Sequence, residues 1–69
     1  MTPQEMLEQM IDTATFDFLS IVQEEEEGDY SDAMLSMERT EANGFVEGLS
    51  VAYHTIFCKE YASPVGLDN

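Results

Sequence analysis

The sequence predicts an all-α fold, a helical hairpin that dimerises into a four-helix bundle. Three observations predict it. Thr2-Pro3-Gln4-Glu5 is a helix start, apolar residues recur at helical spacing on both sides of one break, and that break is short, acidic and carries a glycine. The chain of 69 residues makes one domain, 1–69, and at this size folding buries only about 60% of the surface the unfolded chain exposes.

The first helix is expected over about 3–27. Thr2 serves as N-cap, Pro3 occupies the first helical position where its missing N–H costs nothing, and Glu5 closes a capping box. Leu7, Ile11, Ala14, Phe18 and Val22 then form one apolar stripe, flanked by Met10 and Ile21. Thr15 to Phe18 alternates enough to admit a short strand, but the capped stripe runs straight through it. Phe16 projects from the polar side, where no core of the same hairpin easily reaches it.

Gly28 is a natural terminator, and Asp29 or Ser31 can cap a second helix with Asp32 in its first turn. That helix is expected over about 31–61. Its stripe runs through Leu35, Ala42, Phe45, Val46, Leu49, Ala52, Tyr53, Ile56 and Phe57 and keeps its phase across Asn43-Gly44, which a turn would scramble. Ser63-Pro64-Val65-Gly66 ends it, leaving a tail over 62–69. Two such helices leave one side of each stripe uncovered, and a second hairpin is the simplest cover. Gly44 and Gly48, with Val51 and Thr55, make a smooth face that invites close helix packing within or between chains.

Charge narrows the function. Fifteen acids against two basic residues, Arg39 and Lys59, give a net charge of −13, which repels nucleic acid and anionic lipid alike. The 43% hydrophobic content is too high for a disordered acidic tail. The N-terminus lacks the basic region and unbroken apolar run of a signal peptide, no segment nears the ~20 apolar residues of a membrane span, and one cysteine excludes an internal disulfide. A cytoplasmic protein whose partner is basic is expected.

No motif names a reaction. Glu38 and Glu41 have a spacing that can hold magnesium in helical pyrophosphatases, but those enzymes want further paired acids on facing helices, and the acids available here lie at a helix end rather than inside the bundle. Glu38 also falls on the apolar stripe, where a wet helix end or a buried or interfacial pairing with Arg39 of another chain would accommodate it. His54 and Cys58 offer two ligands without a second pair, Asp29-Tyr30-Ser31-Asp32 lacks the calcium-loop pattern, and no Ser/His/Asp set or phosphate-cradling glycine loop can be assembled. The expectation is a protein that is not an enzyme, with no cofactor and no metal.

What stands out is EEEEGDYSD at 24–32, with Glu24, Glu25, Glu26, Glu27, Asp29 and Asp32 around Tyr30. Acids at the C-terminal end of a helix oppose its dipole and repel one another. Either they are a solubilising, frayed end, or, with Tyr30 and Phe16 as apolar contacts, they meet a basic protein surface. In size, net charge and this cluster the chain resembles the small acidic proteins that bacteriophages encode to interfere with host machinery, among them anti-restriction proteins, anti-CRISPR inhibitors and DNA mimics. The resemblance implies stoichiometric binding, in the host cytoplasm, to a nucleic-acid-handling protein. Acid is modest outside 24–32, which suits a local plug of one basic site better than mimicry of a long duplex. The alternative is a homodimeric structural or adaptor module whose acid only solubilises it.

Overall fold

The computed structural model describes residues 1–65 and is an all-α helical hairpin: α1 spans Pro3–Glu27 and α2 spans Ala33–Phe57. Residues 66–69, the end of the expected tail, lie outside the described residues. Each helix has 25 residues, hence a length of about 37 Å, and the molecule measures 40 × 23 × 18 Å. Its radius of gyration, 13.4 Å, exceeds the ~11 Å of a compact globule of this length. The chain is a two-helix plate with one seam.

The start of α1 follows the capping signature. Thr2 Oγ1 accepts the Glu5 N–H and Glu5 Oε1 accepts the Thr2 N–H, each at 3.1 Å. The Thr2 backbone N–H first, and the Thr2 hydroxyl next, hold the Glu5 carboxyl below its usual pKa. At the other end Gly28 is the C-cap, as expected, but without the left-handed conformation of a glycine cap. Gly28 has φ −87°, and it is Asp29 that adopts the left-handed conformation, with φ 58°. The Asp29 N–H reaches Glu26 O at 3.1 Å and the Tyr30 N–H reaches Glu25 O at 2.9 Å, the paired bonds of a Schellman closure. Tyr30 is left-handed too, at φ 60°, so the helix cannot restart until Asp32. Asp32 is therefore the N-cap of α2, its Oδ1 accepting the Met34 N–H at 2.9 Å, in place of Asp29 or Ser31.

α2 continues unbroken through Asn43-Gly44, as the phase of its stripe required. It stops at Phe57, not at 61, on Cys58, whose φ of 57° and N–H bond to His54 O form a left-handed cap. The early stop frees the following residues to fold back over the seam. Tyr61 stacks at 5.5 Å from Tyr53, and its hydroxyl donates to Asp12 Oδ1 on α1 at 2.9 Å. Ser63 donates to the same oxygen at 2.7 Å.

Ile11, Ala14 and Tyr53 are the buried apolar residues of the seam. Tyr53 packs at 4.9 Å from Phe57 and donates to Glu8 Oε2 at 2.6 Å, while Gln4 Nε2 donates to the Tyr53 oxygen at 3.0 Å. The α2 stripe is wider than one neighbouring helix can cover. Phe45 lies about 80° round the helix from Tyr53 and is 57% exposed, and Ile56 is exposed as well. Gly44 and Gly48 face open space: a Cβ added at either meets nothing within 4 Å. Among the described residues no close helix approach uses that face. No helix among the described residues is long and apolar enough to cross a membrane.

Candidate partner-binding surface

The acidic stretch forms the apex of the hairpin, where α1 ends and α2 begins. The structure divides its four consecutive glutamates. Glu24, Glu26 and Glu27 are exposed, whereas Glu25 is only 1% exposed and points into the seam. Its position explains this: Val22 to Glu25 extends the Ile11–Ala14–Phe18–Val22 stripe by a further step of three. Arg39 Nε donates to Glu25 Oε1 at 2.6 Å and approaches Oε2 at 3.4 Å, and the Ser36 hydroxyl donates to Oε2 at 3.0 Å. Glu25 therefore leaves the set of residues open to a partner. Arg39 pairs within its own chain, and with Glu25 rather than Glu38, which is exposed.

Five exposed carboxylates remain at the apex: Glu24, Glu26, Glu27, Asp29 and Asp32. The last turn of α1 contains no basic residue, and Lys59 lies beyond α2 at the opposite end of the hairpin. Among the described residues the ion pair is Arg39–Glu25 alone, so these acids have no internal counter-charge. Their conflict with the α1 dipole is smaller than a single helix would suggest, because the antiparallel arrangement sets the positive N-terminal end of α2 beside them. The apex is also held in shape. Gly28 N–H bonds Glu24 O at 3.0 Å, Ser31 Oγ donates to Gly28 O at 2.7 Å, and Asp32 is fixed by its capping bond.

Tyr30 projects from this apex and is exposed, on a backbone conformation that costs an L residue about 1–2 kcal/mol. Phe16, 62% exposed, is not brought into the cluster. It shares a helix face with Glu27 eleven residues on, about 16 Å along α1. Tyr61 is used inside the fold. Burial first, then its bond to Asp12, pushes its phenol up to about 12, and the bond to Glu8 raises the phenol of Tyr53. The remaining ligand-type residues make no centre: among the described residues, no three of His, Cys, Asp or Glu are placed to hold a metal ion.

The geometry therefore offers a hydrogen-bonded, uncompensated acidic end with one projecting aromatic ring, and a long apolar flank beside it. No protein-family model, curated protein or solved structure gives a significant match to this chain.

Proposed function

We propose that the chain is a small acidic binding protein, a stoichiometric inhibitor or modulator whose hairpin apex occupies a basic surface on a nucleic-acid-handling protein. The observation that carries this reading is the set of five exposed apex carboxylates with no cation of the chain's own beside them. A lysine- and arginine-rich surface that otherwise contacts phosphates is the complementary shape and charge. The two consecutive left-handed residues, Asp29 and Tyr30, add to it, since strain of this kind persists where a side chain must be presented in one direction.

Affinity capture followed by mass spectrometry identifies the partner, and titration tests the mechanism. Glu24→Gln/Glu26→Gln/Glu27→Gln removes three charges and retains the structural Glu25. Association with the captured partner is expected to slow about tenfold at physiological salt, and wild-type affinity to fall steeply as salt rises. Unchanged affinity in the triple variant would mean that the acid only solubilises the chain.

A further inference from the structure

The two flanks of the hairpin differ. On one, the returning residues 60–65 lie against the helices: Tyr61 and Ser63 bond Asp12, and Glu60 and Tyr61 border a pocket with Ser50, Val51 and His54 on α2. Among the described residues the other flank has no such cover. It carries two grooves that run into each other through the shared residues Ala14, Asp17 and Phe45. Met10 borders one end, Ile21 and Ala42 the other, and Phe45 stands between. Phe45 is 57% and Met10 49% exposed. Met10 to Ile21 covers about 16 Å of α1, the length of about three helical turns.

The rim decides the occupant. Asp17 on α1 and Glu38 and Glu41 on α2 line this apolar groove, and the guanidinium of Arg39 is engaged by Glu25. A second copy of the chain would set the same three carboxylates against their equivalents, between two molecules of charge −13 each. An anionic lipid surface or nucleic acid meets the same repulsion. A helix with an apolar stripe and flanking lysines or arginines satisfies both the groove and its rim, with Met10 able to adapt to its anchors.

We propose that the Phe45 groove between α1 and α2 docks a cationic amphipathic helix of a partner protein. The groove is a surface separate from the apex, and the proposal stands independently of the apex reading. Both surfaces select basic partners, so a single partner could engage them together.

The test uses the full chain and a synthetic helix of about four turns, with leucines at i, i+3, i+4 and i+7 and lysines elsewhere. Its controls are a scrambled peptide of the same composition and the glutamate analogue. Binding is followed by fluorescence anisotropy and by amide chemical-shift mapping. The patterned peptide is expected to bind and to shift Met10, Asp17 and Phe45. Phe45→Ser, and separately Asp17→Asn/Glu38→Gln/Glu41→Gln, should each weaken it by about tenfold, while Glu24→Gln/Glu26→Gln/Glu27→Gln changes it by less than about twofold. Phe45 is exposed, so its variant should keep the wild-type circular dichroism melt, and the rim variant provides a second readout if it does not. Equal binding of the scrambled peptide, or loss confined to the apex variant, overturns the proposal. So does a wild-type dimer by light scattering that Phe45→Ser converts to monomer, since the occupant would then be a second copy.

Discussion

Replacing Arg39 should cost the hairpin far more than replacing Glu25, its partner. Glu25 is 1% exposed and the Arg39 side chain 44% exposed, so the two charges are desolvated unequally. In Arg39→Met the carboxylate stays in the seam with only the Ser36 hydroxyl, 3.0 Å away, to satisfy it. Breaking a fully buried pair costs about 3–5 kcal/mol and an exposed one under about 1 kcal/mol, and the half-exposed arginine sets the expectation near 2 kcal/mol. That is a large share of the roughly 3–10 kcal/mol available to a domain of this size, and lowers the melting temperature by about 10 °C. In Glu25→Leu, by contrast, the guanidinium can turn into water and leucine continues the stripe, for a change within about 0.5 kcal/mol. The double variant should return close to wild type, with a coupling energy near 2 kcal/mol. Urea is the proper denaturant, because guanidinium would screen the pair under study. A single Arg39→Met variant within about 0.5 kcal/mol of wild type, or a double variant as unstable as Arg39→Met, would refute the claim that Glu25 is a buried charge needing its arginine.

Three further outcomes follow from the same geometry. Gly44→Ala and Gly48→Ala should each raise stability by about 1 kcal/mol in urea melts, since a methyl group there meets open space and alanine is the better helix former; a loss would reveal a helix packed on that face in solution. Tyr30→Gly should stabilise by about 1 kcal/mol through relief of its φ of 60° while weakening the basic partner, so a gain in stability with undiminished binding would remove Tyr30 from the contact surface. Raised phenol pKa values make folding pH-dependent on the alkaline side: the unfolded tyrosine loses its proton near 10.0 and Tyr61 near 12, so the stabilisation is complete below pH 10 and is lost as pH rises from 10 toward 12. Urea midpoints at about pH 9 and about pH 11 should differ, and Tyr61→Phe should flatten the difference; a slope identical to wild type would count against the burial of Tyr61 and its Asp12 bond.

The helices were legible because local signals agreed. The Thr2 capping box, the unbroken phase across Asn43-Gly44 and the short acidic connection each state the same answer at neighbouring positions. What was not legible depended on contacts between residues distant in sequence. Tyr61 and Ser63 turn back to Asp12, 49 and 51 residues away, and nothing in the local pattern around Cys58 distinguishes a helix that continues from one that ends to allow it. The left-handed conformation at Asp29, one residue past the Gly28 cap, escapes for another reason: glycine marks the neighbourhood of a left-handed residue, whereas which of two adjacent residues adopts it depends on where the last turn closes. Glu25 had a usable signal. Its place on the extended stripe, together with one of only two cations in the chain, was enough to separate it from Glu24, Glu26 and Glu27.

The separation of Glu25 from its neighbours changes what the acid means. One carboxylate of the run is structural and comes with the arginine that neutralises it; the three around it have no such partner, although lysine or arginine on α2 opposite them would have stabilised the hairpin at little cost. The same holds on the open flank, where Phe45 and Met10 lie beside Asp17, Glu38 and Glu41 without a cation. Acid beside an exposed apolar groove serves solubility as well, since covering the groove with another copy is then penalised by charge. Acid at the rim of an apolar surface discourages self-association and leaves that surface open to a cationic one. A hairpin with a marginal seam and an open flank gains most from such a partner, because binding the folded form alone adds directly to its stability.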